Sequence, residues 1–312
     1  MKIVFMGTPD YATKTLEYLI NSNHTVAAVF AQPDKPVGRK QVLTPPPVKV
    51  LAQDNNIPVF QPNTLKDGEA KRILEEIAPD VCVVVAYGKI LPEEILSIPK
   101  YGCVNGHASL LPQYRGASPI QWCIVCGEKV TGVTTMLMDR GMDTGDILKQ
   151  CEVKIGEEET AEELFERLSV VSAELMLSTL TDMEKGGITP IKQVEENASY
   201  APIIKKEMAK LDFTKSAEEI HNAVRGYYSW PCAFFLLKNK RVKAISCKLG
   251  SKTNMPAGAV VGNADCLEIA CGDGNTVKFE VLQLEGSKQM TAKQMLCGNS
   301  VEIGYVIGDD NG

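Results

Sequence analysis

Apolar and polar positions in the first part of the chain follow a strand–helix–strand order. Residues 3–6 form a short apolar run, and a turn at residues 7–10 precedes a helical pattern that includes Leu16 and Leu19. Residues 25–31 are then predicted to form a second buried strand. This order is typical of the start of an α/β sheet with parallel strands.

The strongest strand signal lies at residues 80–88, where the apolar run is unbroken. Such a run indicates a central strand that is covered on both faces. Residues 87–92 leave its carboxyl end, where open α/β sheets bind their ligands. Strands over residues 104–107 and 132–139 are expected to deliver their loops to the same edge.

The pattern changes after residue 188. Residues 189–206 are polar, contain prolines and show no period, so we predict a linker. A helix over residues 217–225 follows, and then come short apolar runs separated by turns. These runs predict a small antiparallel barrel of the OB-like type. The expected architecture is a Rossmann-like parallel-sheet domain over residues 1–188 and an OB-like barrel over residues 207–312.

Composition is that of an ordinary globular protein. The 312 residues are 44% hydrophobic, and the chain is long enough for two domains that each bury a core. The first apolar run is too short for a signal peptide, and none reaches the ~20 residues of a membrane span. We therefore expect a soluble, cytoplasmic protein that has no membrane partner. A monomer is a separate expectation that the composition does not dictate.

The ten cysteines are scattered along the chain, which predicts free thiols rather than disulfides. Cys123 and Cys126 have the spacing of half a zinc site. No second Cys or His pair at ligand spacing accompanies them, so we expect no metal.

The formal net charge of −6 is unevenly distributed. Residues 1–204 carry 19 basic and 27 acidic groups, a net charge of −8, whereas residues 205–312 carry 14 and 12, a net charge of +2. The whole chain is thus not an obvious nucleic-acid binder, although its carboxyl-terminal part can carry a basic face. Lys238, Lys240 and Arg241 lie together in the first predicted hairpin of that part.

A basic loop interrupts the acidic amino-terminal part. Residues 32–47 are predicted to be irregular and carry Lys35, Arg39 and Lys40 with one acid, Asp34. Structureless loops of this length are uncommon in compact domains and are often functional. The loop fits contact with an anionic partner, and it equally fits a solvated insertion.

The most informative chemistry lies in residues 103–146. Asn105 and His107 are two residues apart, so in a strand both point to the same face. A second loop, residues 139–146, is rich in aspartate and glycine. Such a set can supply a general base, a group that orients it and a hydrogen-bond donor for an oxyanion.

A structural role is the alternative for each of these residues, because a histidine near a strand end is more often structural and Asp-rich loops are often solvated turns. The chain has three histidines. His24 lies in a surface turn, and His221 is predicted on an exposed helix. His107 is therefore the candidate for imidazole chemistry.

These residues resemble the methionyl-tRNA formyltransferases along nearly the whole chain. The pattern Asn-x-His, Ser-Leu-Leu-Pro and Asp-x-Gly-x-Asp-Thr-Gly is specific for folate-dependent formyltransferases, and the basic loop and barrel resemble the tRNA-directed branch. The matching stretches are residues 6–10, 32–39, 87–92, 105–116, 138–145, 230–231 and 256–258.

The resemblance implies transfer of a formyl group from 10-formyltetrahydrofolate to the amino group of methionyl-initiator tRNA. It assigns catalysis to Asn105, His107 and Asp143. The folate site that it implies comprises Tyr87, Gly88, Ile90, Leu91, Pro92, Ser109, Leu110, Leu111, Pro112 and Asp139. The resemblance implies that the basic loop contacts tRNA through Lys35, Arg39, Lys40 and Lys49. The predicted basic hairpin of the barrel, with Lys238, Lys240 and Arg241, is expected to add further phosphate contacts.

The chain departs from the family pattern at three places. The basic loop usually reads Gly-Arg-Gly-Lys-Lys in the family, whereas residues 38–42 read Gly-Arg-Lys-Gln-Val here, so one basic residue moves and one is lost. Cys232 replaces a glycine, which argues against a strict need for a positive φ at that turn. Gly106 replaces a larger apolar residue and is expected to loosen the strand between Asn105 and His107.

Two other functions fit parts of the pattern. A folate-dependent formyltransferase that acts on a small amine, such as glycinamide ribonucleotide or an amino sugar nucleotide, would share the catalytic trio but has less need of the basic loop. A non-catalytic RNA-binding protein with a degenerate transferase domain would keep the basic surfaces, but the intact trio argues against it.

Overall fold

The structure is a computed structural model that describes residues 1–38 and 40–307. Its strands are β1 (Lys2–Gly7), β2 (Thr25–Phe30), β3 (Lys35–Val37), β4 (Val42–Thr44), β5 (Val59–Phe60), β6 (Val81–Val85), β7 (Cys103–His107), β8 (Arg115–Gly116), β9 (Val130–Leu137), β10 (Ile147–Lys154), β11 (Tyr200–Ala201), β12 (Phe234–Leu237), β13 (Lys240–Lys252), β14 (Val260–Gly262), β15 (Leu267–Ala270), β16 (Asn275–Leu284) and β17 (Met290–Thr291). Its α-helices are α1 (Asp10–Ile20), α2 (Pro47–Asp54), α3 (Glu69–Ile77), α4 (Glu93–Leu96), α5 (Pro119–Val125), α6 (Ala161–Glu184), α7 (Ala217–Gly226) and α8 (Ala292–Gly298).

These elements belong to two units. Unit 1 comprises Met1–Pro119, Val130–Lys154 and Phe165–Ala201. Unit 2 comprises Ile120–Lys129, Ile155–Leu164 and Pro202–Gly312. The segment predicted as a linker, residues 189–206, thus contributes to both units.

Unit 1 is built on a seven-stranded sheet of order β10-β9-β7-β6-β1-β2-β5. The pairs from β7 to β5 are parallel, whereas β9 is antiparallel to both β7 and β10. All five residues of β6 are buried at the middle of this sheet. The prediction of a parallel sheet around this central strand is confirmed. Strand β9, however, runs antiparallel to β7, with Leu137 opposite Val104. The loop after β9 therefore leaves from the edge at which β7 begins, so the prediction that residues 104–107 and 132–139 deliver their loops to the same edge is wrong.

The basic loop is more regular than the sequence predicts. Residues 35–37 and 42–44 pair as an antiparallel hairpin, in which Lys35 lies opposite Thr44. Val37, Val42 and Leu43 are more than half exposed in this hairpin. Because no side of the hairpin is buried, its sequence lacks the alternation that predicts strands.

Unit 2 contains the predicted antiparallel barrel-like sheet, of order β12-β13-β16-β15-β14. Its core includes a cluster of three aromatic rings, those of Phe213, Phe235 and Phe279, whose centroids lie 5.3 to 6.1 Å apart. The OB-like prediction is confirmed. Every cysteine of the chain is a free thiol, as predicted.

His221 is not on an exposed helix, so that prediction is wrong. Helix α7 buries residues around most of its circumference, and His221 is 4% exposed. Its Nε2 lies 3.2 Å from Glu158 Oε2. Burial lowers the pKa of His221, although Glu158 opposes the shift.

Cys232 adopts a φ of +66°, which overturns the expectation from its side chain. Its backbone N–H donates to the Tyr227 carbonyl at 2.9 Å, and its thiol donates to the Ser229 carbonyl at 2.9 Å. These two bonds close a tight turn around a left-handed residue. These two hydrogen bonds therefore stabilise a backbone conformation that costs less free energy for glycine than for cysteine.

We expect Cys232→Val to lower the free energy of unfolding by about 2 kcal/mol, because a β-branched side chain is disfavoured at positive φ. Cys232→Gly should change it by less than about 1 kcal/mol, since relief of strain offsets loss of the buried thiol. Urea denaturation measures both changes. Cys247→Val, at a buried position in β13, is the control and should cost less than about 1 kcal/mol. Equal losses for the two valine variants would contradict the argument.

Candidate active site

Strand β7 places an amide and an imidazole on one face at the carboxyl edge of the sheet. Asn105 and His107 are 9% and 6% exposed. Gly106 between them pairs with Thr135 of β9, so the expected loosening of the strand does not occur. A Cβ on Gly106 would lie 3.0 Å from Ser172 Oγ, which shows that glycine lets helix α6 approach the strand closely.

Asp143 lies in the loop between β9 and β10 and meets both side chains. Asn105 Nδ2 donates to Asp143 Oδ1 at 3.4 Å, and His107 Nδ1 lies 3.6 Å from Asp143 Oδ2. The backbone N–H of Gly116 donates to Oδ2 at 2.8 Å. The structure therefore brings Asn105, His107 and Asp143 together, although they come from separate segments.

The imidazole is oriented by a group that the sequence does not reveal. His107 Nε2 lies 2.9 Å from the carbonyl oxygen of Tyr114. A carbonyl only accepts hydrogen bonds, so Nε2 carries the hydrogen in this contact. In the neutral ring the lone pair is then on Nδ1, on the side of Asp143. Because the partner is a backbone atom, no residue type at position 114 signals it.

Two residues around the imidazole have strained backbones. Asp143 has a φ of +56° and Tyr114 a φ of +57°. Left-handed conformations of residues other than glycine are uncommon and cluster at functional sites. The strain coincides with the two groups that contact His107, which supports a functional rather than a purely structural arrangement.

The residues assigned to the folate site fall into two groups. Tyr87, Leu91, Ser109 and Leu111 have buried side chains. The Tyr87 hydroxyl has no hydrogen-bond partner among the described residues, and burial raises its pKa to about 12. The other members, which are at least partly accessible or lack a side chain, are Gly88, Ile90, Pro92, Leu110, Pro112 and Asp139.

Two loops that an ion pair connects offer exposed apolar side chains. Ile90, from residues 87–92, is 77% exposed, and Met142, beside Asp143, is 61% exposed. An ion pair between Glu93 and Arg140 connects the two loops, and Arg140 lowers the pKa of Glu93. The loops thus present apolar surface beside the polar trio.

The residues assigned to tRNA contact differ in their availability. In unit 1, Lys35 and Lys40 are exposed, whereas the Lys49 ammonium donates to Asp34 at 2.8 Å and lowers the pKa of that carboxyl. Arg39 lies outside the described residues. In unit 2, Lys240 is exposed, and Lys238 donates to the Ser300 carbonyl at 2.8 Å. The Arg241 guanidinium stacks 3.6 Å above the Phe234 ring.

Within the described chain, no group of three His, Cys, Asp or Glu side chains is arranged to hold a metal ion. No helix in that part of the chain is long and apolar enough to cross a membrane.

Comparison with known proteins gives matches over both units. A family model described as formyl transferase matches residues 1–180, and one described as formyl transferase, C-terminal domain, matches residues 203–300. A methionyl-tRNA formyltransferase of Alkaliphilus oremlandii is 46% identical over 99% of this chain and 100% of its own length. That of Acetivibrio thermocellus is 45% identical, with the same coverage.

Solved structures share the fold. A sugar 3N-formyl transferase, WlaRD, crystallised with dTDP and 5-N-formyl-THF, superposes with a TM-score of 0.69 and 22% identity over 92% of this chain and 99% of its own. An N-formyltransferase from Helicobacter canadensis, in complex with folinic acid and dTDP-3-aminofucose, superposes with a TM-score of 0.69 and 22% identity. The match covers 93% of this chain and 100% of the other. These two likenesses support the fold described above.

Proposed function

This chain belongs to the methionyl-tRNA formyltransferase family, and we propose that it transfers the formyl group of 10-formyltetrahydrofolate to the amino group of methionyl-initiator tRNA. The observation that carries the proposal is the meeting of the Asn105 amide and the His107 imidazole at the Asp143 carboxylate. That the protein acts as a monomer in the cytoplasm stays a prediction.

The residues at the sheet edge fit a folate donor. A pterin ring has apolar faces and a hydrogen-bonding rim, and such ligands are held by apolar walls with a few polar groups. Ile90 and Met142 supply exposed apolar surface, while the backbone of residues 87–92 and 109–112 can supply donors and acceptors. When bound, the donor supplies the activated formyl carbon.

Three side chains then have distinct tasks. His107 accepts the proton that the attacking amine must lose, at Nδ1, because Tyr114 occupies Nε2, and it returns a proton to the donor nitrogen as the bond from that nitrogen to the formyl carbon breaks. Asp143 stabilises the resulting imidazolium from 3.6 Å. Asn105 Nδ2 carries a second hydrogen beyond the one that Asp143 accepts, and this donor can stabilise negative charge on the carbonyl oxygen under attack.

The direct test is formylation by the purified protein with 10-formyltetrahydrofolate and one of three acceptors: methionyl-initiator tRNA, glycinamide ribonucleotide or an amino sugar nucleotide. We expect formyl-methionyl-tRNA to be formed most efficiently, because the basic loop over residues 32–47 gives an acceptor RNA a surface for its phosphates. Preference for either small amine would overturn the assigned acceptor while leaving the formyl-transfer chemistry intact.

Asn105→Ala should lower kcat by roughly a hundredfold or more, because it removes a donor to developing charge. His107→Ala should lower it by a similar order, since it removes the proton acceptor. KM for methionyl-tRNA should stay within about twofold in both variants. Turnover comparable to that of the wild type in either purified variant would refute the catalytic assignment.

The basic loop over residues 32–47 should make tRNA affinity salt-dependent, with a log–log slope of roughly −0.7 to −0.9 per phosphate contacted. Lys40→Ala should therefore reduce the magnitude of this slope by the amount that one phosphate contact contributes, measured by filter binding across a salt series. Lys49→Ala should reduce it less, because its ammonium is already paired with Asp34. Equal slopes for the wild type and Lys40→Ala would remove Lys40 from the interface.

A further inference from the structure

Gln193 connects the Asp143 loop to a buried arginine. Its Nε2 donates to the carbonyl oxygens of Asp143 at 2.8 Å and of Gly145 at 2.7 Å. Its Oε1 accepts from Nε and Nη2 of Arg115 at 3.1 and 3.0 Å. The Gln193 carboxamide thus donates to the loop that carries Asp143 and accepts from Arg115.

Arg115 is 1% exposed, so its charge must be compensated within the protein. Burial tends to lower the pKa of its guanidinium, but a 2.8 Å hydrogen bond to Glu195 contributes to a net rise. The Arg115 backbone N–H donates to the Ser199 carbonyl at 2.9 Å. The next N–H, that of Gly116, donates to the Asp143 carboxylate. Fixing Arg115 therefore fixes a donor that holds the carboxylate.

The Asp143 backbone itself needs external support. A non-glycine residue in a left-handed conformation costs on the order of 1–3 kcal/mol and persists only where its surroundings determine it. The two hydrogen bonds from Gln193 act on the carbonyl of this residue and on that of Gly145, two positions further on. Gln193 is the described side chain that bonds to both carbonyls.

We propose that Gln193 is a positioning residue for formyl transfer, whose carboxamide sets the backbone of Asp143 so that the carboxylate meets His107 and Asn105. The inference rests on the proposed function, because Asp143 matters only if that trio performs the reaction. Gln193 itself contacts no reacting atom in this account.

Gln193→Glu distinguishes the donor role of the Gln193 carboxamide from its acceptor role. The variant keeps an acceptor for Arg115 and loses the donor to Asp143 and Gly145. We expect kcat to fall by about tenfold to a hundredfold, as for small displacements of catalytic groups. KM for both substrates should stay within about twofold, and the melting temperature should be near that of the wild type. Gln193→Ala, which loses both sides, should lose the same activity and also stability.

A double-mutant cycle with Asp143→Asn shows whether Gln193 acts through Asp143. If it does, Gln193→Glu should slow the Asp143→Asn enzyme by no more than about twofold, because residues that act as one unit are not additive. A purely structural role would multiply the two losses in kcat, and that result would overturn the inference.

Asn21→Asp is the matched control. Asn21 Nδ2 donates to the Glu17 carbonyl at 3.0 Å at the end of α1, before β2 begins. The exchange of amide for carboxylate is the same, but it lies at the opposite edge of the sheet. Its kcat should stay within about twofold of the wild type.

The outcomes separate the two claims. A wild type that does not formylate methionyl-tRNA overturns the proposed acceptor, and the variants are then compared on whichever small amine it does formylate. An active wild type with an equally active Gln193→Glu variant overturns the positioning role alone.

Discussion

The Asp143 carboxylate is the contact point on which the site depends. It faces the imidazole of His107, accepts from the amide of Asn105 and accepts from the backbone N–H of Gly116. Two of these groups come from β7, and the third comes from β8, the short strand that follows it. A carboxylate only accepts hydrogen bonds, so donors from several segments hold it in place. Its side chain is 16% exposed, which strengthens each contact relative to bulk water.

The sheet explains why these groups can meet. Strands β6 and β7 are parallel neighbours at its middle, and β9 returns antiparallel beside β7. The loop after β9 therefore begins next to the strand that carries Asn105 and His107. The left-handed backbone of Asp143 then turns its side chain toward them, at a conformational cost that surrounding hydrogen bonds offset.

The parts predicted from the sequence are those that periodic burial or fixed spacing dictates. The unbroken apolar run of β6 predicted a central strand, and the i,i+2 spacing of Asn105 and His107 predicted a shared face. Strand β10 gave no such signal, because its first two residues are both buried and a lysine, Lys149, occupies the first of the less exposed positions that alternate with exposed ones from there to its end. His221 was misjudged because the sequence does not show that α7 is covered on most sides.

Other features depend on single contacts that no local pattern encodes. The partner of His107 Nε2 is a backbone carbonyl, so any residue at position 114 would supply the same atom. Gln193 contacts residues 48 and 50 positions earlier from a segment whose polar, aperiodic sequence predicted only a linker. Cys232 shows the same limit, since hydrogen bonds to Tyr227 and Ser229 hold a backbone that its residue type disfavours.

The central claim is that Asp143 works through His107, and a double-mutant cycle in single-turnover formyl transfer tests it most directly. The account predicts that Asp143→Asn slows the wild type by about a hundredfold but slows the His107→Ala enzyme by no more than about twofold. If the two losses simply multiply, the carboxylate and the imidazole act independently, and the account is contradicted.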